Sequence, residues 1–357
     1  MTEAVILVGG KGTRLRPLTV NTPKPLLQVG GVPFLAHQLA QLREAGIVHV
    51  VLATSYRAEV FEQTFGDGSA HGVQLDYVVE TEPLDTGGAI RNIAGALTGG
   101  PGDAVAVLNG DILSGHDLTA QLAVHAESDA DVTLHLIEVE DARAFGCVPV
   151  DERGFVTAFL EKMAEPVTNV VNAGCYVFRR SVVDAIPAGR RVSVERETFP
   201  GLLAAGAVVR GYVESAYWRD LGNPTAYVEG SADLVLGRLP SAALPGPVGE
   251  ALVLSGARVA QSAIVHGGSV VAAGAVVGPG ATVDASVLLD DAVVGEGAVV
   301  RRSTVGAGAR VGARTTVTDA VVGDGADAGV DNELAAGLRL WTGAVLADHT
   351  VRFAGEG

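Results

Sequence analysis

The sequence predicts an α/β fold, a doubly wound mixed sheet, followed by a left-handed parallel β-helix. Three observations carry this. An apolar run, Ala4 to Val8, ends in a glycine-rich turn and opens an alternation of strand-like and helix-like segments. The 357 residues exceed one compact domain and suit two. Beyond residue 250 an aliphatic residue recurs at steps of six, with an occasional five, as in a chain of short strands stacked coil on coil. The expected organisation is a first domain over 1–237, a Pro-, Gly-, Ala- and Ser-rich linker over 238–250, and a hexapeptide-repeat domain over 251–357.

Composition narrows the function. A net charge of −16 argues against nucleic acid and anionic membranes as partners. Any phosphate site must then be locally basic, and Lys11, Arg14, Arg16 and Lys24 form such a cluster. Cys147 and Cys175 lie in strand-like apolar runs and read as small buried hydrophobes. There is no CxxC or HExxH pattern, no signal-peptide pattern and no run long enough to span a membrane, so a cytoplasmic location is expected.

The opening stretch is Leu7-Val8-Gly9-Gly10-Lys11-Gly12-Thr13-Arg14-Leu15-Arg16-Pro17-Leu18-Thr19, followed by Pro23-Lys24-Pro25. Three glycines in four residues let a backbone approach a ligand and turn amide N–H groups toward an anion. Arg14 and Lys24 can neutralise phosphate charge. The spacing is neither that of a P-loop nor that of the dinucleotide fingerprint.

A helix is expected over Pro33 to Ala45, a strand over Val48 to Ala53, a short helix over Ala58 to Thr64 and a strand over Leu75 to Glu80. A further helix starts near Gly87, with Asp85 or Thr86 as its cap. Ala104 to Leu108 reads as a buried strand that delivers Asn109-Gly110-Asp111 to the sheet edge holding the opening loop. An Asp there is a hard oxygen donor suited to Mg²⁺ beside substrate phosphates. Asp131 to Val139 is a strand, Cys147 to Val150 and Phe155 to Glu161 form a hairpin, and a strand runs from Asn172 to Phe178. Ser193 caps a kinked helix reaching about Ala205, Val208 to Glu214 is a strand, and Thr225 to Leu236 a closing helix.

The repeat is carried by Val259, Val265, Val271, Val277, Val283, Leu288, Val294, Val300, Val305, Val311, Val317 and Val322. Three hexads per triangular coil give roughly four coils. The segment from Asn332 to Phe353 is expected to cap the helix. His266 has no evident partner for acyl transfer, so the domain is expected to mediate homo-oligomer assembly.

The motif G-G-x-G-T-R-L-x-P-L-T followed by P-K-P resembles the signature of the sugar-1-phosphate nucleotidyltransferases. The form Leu7 to Thr19 most resembles the mannose-1-phosphate guanylyltransferases (GDP-mannose pyrophosphorylases) with C-terminal hexapeptide repeats. The resemblance implies catalytic roles for Arg14 and Lys24. It implies nucleotide binding by Leu7, Gly9, Gly10, Gly12, Thr13, Gly88 and Asn109, and sugar-phosphate binding by Gly146, Glu161, Lys162 and Asn172. It implies Mg²⁺ held by Asp111 and by Asp220, in Trp218-Arg219-Asp220-Leu221-Gly222-Asn223-Pro224. The implied reaction is GTP plus a sugar-1-phosphate, foremost mannose-1-phosphate, giving a GDP-sugar and pyrophosphate.

The chain departs from the family pattern twice. Met163 stands where the family has Pro after Glu-Lys, and Arg219 adds charge beside the second metal ligand. These departures leave open a cyclitol or unusual sugar phosphate, such as valienol-1-phosphate; a different base also stays open, because base choice rests on loop geometry. A non-catalytic regulatory subunit would be expected to lack Arg14, Lys24, Asp111 or Asp220, and all four are present.

Overall fold

Seven strands form the sheet of the first unit: β1 (Glu3–Leu7), β2 (His49–Thr54), β3 (Gln74–Val79), β4 (Ala104–Asn109), β5 (Val132–Glu138), β6 (Val170–Arg179) and β7 (Val209–Glu214). Their order is β7-β5-β6-β4-β1-β2-β3 in this computed structural model. The structure describes residues 2–55, 57–160 and 164–351. Chain contacts divide it into two compact units, 1–10 with 38–218, and 11–37 with 219–357.

In the first unit, β1 is flanked by β2 and β4, both parallel to it. Its residues Ala4, Val5 and Ile6 are fully buried, as expected of a central strand covered on both faces. The strand order reverses on either side of β1, so the loops after β1 and β4 leave the same edge side by side. Leu7 sits opposite Asn109, and the Gly110 N–H donates to the Leu7 carbonyl at 3.0 Å. β6 is antiparallel to both β4 and β5, which makes the sheet mixed. The core on one face gathers Val5, Val107, Leu134, Tyr176, Phe178 and Phe199.

The helices are α1 (Phe34–Glu44), α2 (Ala58–Phe65), α3 (Asp85–Asn92), α4 (Leu118–Glu127), α5 (Arg180–Ala185), α6 (Phe199–Ala204) and α7 (Pro224–Val235). α1, α2 and α7 lie within a residue of the sequence expectation, α6 forms only the later part of the kinked helix expected from Ser193, and α4 and α5 were not expected. α3 starts earlier than expected, and neither Asp85 nor Thr86 caps it, because Leu84 holds the N-cap position without a side-chain bond. Thr86 instead donates through Oγ1 to Glu195 at 2.9 Å and accepts from the Val194 N–H at 3.0 Å. Ser193 does cap its helix, accepting from the Arg196 N–H at 3.2 Å. The expected hairpin after Gly146 is reduced to isolated bridges, Cys147 with Leu160 and Val150 with Val156, around the 151–154 turn. Cys147 and Cys175 are free and buried.

The second unit holds the repeat. Short parallel strands stack into faces of six, six and five strands, a left-handed parallel β-helix. Registers such as Val270 opposite Val287 opposite Thr304 give coils of 17 residues in the middle of that face, and Leu252 opposite Val270 and Val321 opposite Arg339 give 18 at its ends. Inward Val and Leu positions alternate with small Ala residues, and Val277, Val283, Leu288, Val294, Val300 and Val305 are fully or almost fully buried. The stack is longer than four coils. Ala251–Val253 adds a strand in front. Behind, Asp327–Ala328, Glu333–Leu334, Arg339–Leu340 and Val345–Leu346 continue the faces through the segment expected to be a cap. Those coils place Ala or Leu inside where the earlier ones place Val, which hides them from a search for recurring Val. One corner carries buried Ser269, Ser286 and Ser303, each accepting the backbone N–H of the coil above at 3.1 Å. Each buried hydroxyl is thereby satisfied.

Residues 11–37 belong to the same unit as the repeat. The Gly30 N–H donates to Ser231 of α7 at 3.0 Å, Gln28 donates to Asp290 at 2.8 Å, and His37 Nδ1 meets Ser241 Oγ at 2.7 Å. Among the described residues no helix is long and apolar enough to cross a membrane.

Candidate functional site

In the second unit the sequence places Arg14 on a 3₁₀ turn (Thr13–Leu15) and Lys24 on another (Lys24–Leu26). Gly12 makes this tight fold possible. Its φ is +57°, and a Cβ there would sit 3.1 Å from Thr19 and 3.2 Å from Lys24. Thr19 Oγ1 closes the loop by donating to the Gly12 carbonyl at 2.7 Å. Asp220 follows at the end of a short strand, Trp218–Asp220.

The structure brings three predicted residues together here. Arg14 Nη2 lies 3.8 Å from Asp220 Oδ2, and Lys24 Nζ lies 3.7 Å from Asp220 Oδ1. Lys24 is buried while the Arg14 side chain is exposed. Gly222 lies beneath the guanidinium, where a Cβ would meet Arg14 Nη2 at 2.5 Å. Arg219 pairs with Glu229 and, at 3.1 Å, with Asp233, both on α7.

In the first unit the predicted residues lie along the carboxyl edge of β1 and β4. Gly9 accepts from Ser55 Oγ at 2.7 Å through its carbonyl, and Gly10 is exposed with open space where a side chain would be. Half-buried Asp111 follows directly on β4, after Asn109 and Gly110. Carboxylate oxygens are hard donors, so Asp111 and Asp220 have the chemistry to hold a hard divalent cation.

Asn172 is locked from within the fold. Its Nδ2 donates to the Tyr176 hydroxyl at 2.8 Å, and its Oδ1 accepts from the Gly174 N–H at 3.1 Å. Tyr176 is fully buried; burial pushes its phenol pKa upward, while hydrogen bonds to Asn172 and Asn109 oppose that. Tyr176 thus links the predicted sugar-side Asn172 to the predicted nucleotide-side Asn109. Nothing in the sequence marks it beyond its place four residues after Asn172.

Gly88 is buried, and its N–H donates to the Val192 carbonyl at 3.1 Å. A Cβ there would lie 2.7 Å from the Arg190 carbonyl and 2.8 Å from Leu84 Cβ. Its observed role is therefore close packing of α3 against 190–192. Glu80, which sequence reasoning did not single out, accepts from the Leu84 N–H at 3.1 Å and lies near Gly9. Gly146 packs against the Leu160 carbonyl. Glu161, Lys162 and Met163 lie outside the described residues. In the repeat, His266 Nδ1 lies 3.5 Å from Asp284, so that His does have an acidic neighbour.

The chain is also similar to known proteins along most of its length. Residues 3–235 match the nucleotidyl transferase family, and residues 247–347 match the GMPPB C-terminal domain. The chain is 54% identical over 355 residues to a mannose-1-phosphate guanylyltransferase of Mycobacterium tuberculosis, covering 99% of this chain and 98% of that one. It is 37% identical to the mannose-1-phosphate guanylyltransferase catalytic subunit beta of Drosophila melanogaster, over 64% of this chain and 62% of that one. Among solved structures, HddC from Yersinia pseudotuberculosis complexed with GMP-PN aligns with a TM-score of 0.55 at 28% identity, covering 65% of this chain and 98% of that chain. With two thirds of its length in the family match and a near-full-length relative at this identity, the chain belongs to the nucleotidyl transferase family.

Proposed function

We propose that this nucleotidyl transferase joins GTP to mannose-1-phosphate, giving GDP-mannose and pyrophosphate. The observation that carries it is the near-full-length likeness to the mycobacterial mannose-1-phosphate guanylyltransferase. The cluster of Arg14, Lys24 and Asp220 supports it, because it collects charge suited to a triphosphate in an acidic chain.

A sugar-phosphate oxygen attacks the α-phosphorus of GTP. The new P–O bond forms as the α–β bond breaks, and the electron pair leaves on pyrophosphate. The attacking phosphate is already anionic, so no general base is required. The protein's work is to position the reactants and neutralise charge. Arg14 serves the β- and γ-phosphates and the leaving group, and Lys24 the reacting phosphates. Leu7, Gly9, Gly10, Gly12, Thr13 and Asn109 supply the nucleotide cradle. Gly88 acts by holding α3 and the 80–84 segment in place. Gly146, Glu161, Lys162 and Asn172 take the sugar phosphate. Nucleotidyl transferases generally use a divalent metal. We take it to be Mg²⁺ held by the carboxylates of Asp111 and Asp220, where it would neutralise phosphate charge.

The engagement of Arg219 with Glu229 and Asp233 weakens one of the two motives for an unusual substrate. We also take the protein to be cytoplasmic and homo-oligomeric through its repeat domain. Exposed apolar side chains there, Ile264, Trp341 and Val345, support an assembly surface.

The test is a matrix of nucleoside triphosphates against sugar-1-phosphates and cyclitol phosphates, scored by pyrophosphate release with Mg²⁺ present. Release is expected to be fastest for GTP with mannose-1-phosphate. Preference for another pair would replace the substrates, and silence across the matrix from folded protein would refute the enzyme.

A further inference from the structure

His116, His135 and Glu214 meet inside the first unit, and nothing in the proposed reaction uses them. His116 precedes α4, His135 lies on β5 and Glu214 ends β7, the edge strand beside it. Both histidines are almost wholly buried. One nitrogen of each ring and a carboxylate oxygen all lie within 4.8 Å of one another.

The hydrogen bonds fix what each atom offers. Gln121 Nε2 donates to the Thr133 carbonyl at 2.9 Å, which orients the amide so that Oε1 accepts. Oε1 lies 2.7 Å from His116 Nε2, so that nitrogen carries its proton and donates. His116 Nδ1 is then left facing Glu214 Oε1 at very short range. His116 Nδ1 therefore meets that oxygen through a second ring proton, and a metal ion would take the nitrogen by displacing that proton. His135 Nε2 approaches the same oxygen at 2.8 Å, and its ring stacks on His116 with centroids 3.8 Å apart. His135 Nδ1 is buried and has no hydrogen-bond partner. A cavity of about 20 Å³ lined by His116, His135, Cys175, Asn109 and Gly174 adjoins the group. That exceeds the volume one water needs.

Two imidazoles and a carboxylate are the donor set of a borderline divalent ion, whereas Mg²⁺ favours all-oxygen surroundings. An amide oxygen holding the far nitrogen of His116 is the outer-sphere support such ligands use. We propose that His116, His135 and Glu214 form a binding site for Zn²⁺ or a similar transition-metal ion, chemically distinct from the Asp111 and Asp220 carboxylates. The same pocket is lined by Asn109, two residues before Asp111, so an ion here would brace the strand end that presents that carboxylate.

The test uses the full chain, stripped with chelator and titrated with Co²⁺ in excess Mg²⁺. The expected result is one Co²⁺ per chain with the intense visible bands of four-coordinate geometry, displaced by Zn²⁺. His135→Gln and Glu214→Gln should each weaken binding at least about 10-fold, whereas Asp111→Asn should leave the bands in place. Absence of the bands in the wild type, their survival in both ligand variants, or their loss in Asp111→Asn would overturn the site. If the ligand variants do not fold, X-ray absorption at the zinc edge of the wild type loaded with one equivalent decides. Two imidazoles with oxygen donors are expected, and an all-oxygen shell would refute it.

Discussion

Arg339 Nη1, on a strand of the repeat, donates to the main-chain carbonyl of Arg14 at 2.8 Å, and to that of Arg16 at 2.7 Å. One guanidinium thereby grips both sides of the turn that carries the proposed catalytic arginine. Pro17 packs beside Gly323 of a neighbouring coil, and Asn21 bonds to Asp324. The repeat therefore supports the turn proposed to bind phosphate from within the same unit. Arg339→Ala is expected to lower kcat about 10- to 100-fold at unchanged circular dichroism, since small misplacements of catalytic groups carry such costs. A kcat equal to wild type would show that the turn holds its geometry without this grip.

Asp111→Asn keeps the shape of the side chain and removes its charge. With the proposed metal role, kcat should fall on the order of 10²-fold or more, and extra Mg²⁺ should restore little of it. Thermal melting should stay within a degree or two of wild type, because the residue is only half-buried at a turn. Near-full turnover would remove Asp111 from the metal assignment.

Gly88→Ala places a methyl group 2.7 Å from the Arg190 carbonyl, a backbone atom that cannot step aside cheaply. Overpacking of this kind costs about 1–3 kcal/mol. The melting temperature should drop, and KM for GTP should rise on the order of 10-fold as α3 shifts. Steady-state kinetics with GTP varied checks this. An unchanged KM would separate the helix packing from the nucleotide pocket.

Strands, helices and the repeat were legible because each follows a periodicity the sequence displays. The opening loop, Asn109-Gly110-Asp111 and the Asp220 segment were legible as motifs. Other features depend on long-range pairing that leaves no local mark. Leu84 holds the α3 N-cap, while Asp85 Oδ1 accepts only from the adjacent Thr86 N–H and Thr86 Oγ1 engages Glu195 and Val194, more than a hundred residues on. Residues 11–37 join the repeat unit through Gln28, Gly30 and His37, which look like ordinary loop and helix residues in sequence. Arg339 is one of many surface arginines until its carbonyl partners are seen. His116, His135 and Glu214 are scattered along the chain and meet only because β5 and β7 pair under α4. The terminal coils carry Ala328, Leu334 and Leu340 at positions that Val fills in most earlier coils, so the recurrence of Val stops short of them.

Glu3 predicts a pH dependence of stability. It is buried, and its carboxylate accepts from His49 at 2.6 Å, from Thr98 through N–H and hydroxyl, and from the Gly99 N–H at 2.8 Å. Burial alone would raise its pKa, but these bonds win and lower it from 4.5 to about 2. A lowered carboxyl pKa stabilises the fold above its unfolded value, and that stability is lost as pH falls from 4.5 toward 2. His49 runs the other way. Burial lowers its pKa, but Asp76 and Glu3 raise it on balance, so its contribution is lost as pH rises through the raised value. Glu3→Gln should therefore cost about 2–3 kcal/mol near neutral pH, by urea unfolding, and distinctly less at about pH 3. Equal deficits at both pH values would contradict the linkage.

The most direct measurement is kcat/KM for pyrophosphate release with mannose-1-phosphate and GTP, set beside the same quantity for ATP, UTP and dTTP, with GDP-mannose identified as product. GTP is predicted to exceed each other nucleotide by at least about 10-fold, a margin of roughly 1.4 kcal/mol in transition-state binding. Folded, Mg²⁺-supplied protein that makes no GDP-mannose, or makes another nucleotide sugar faster, would contradict the account.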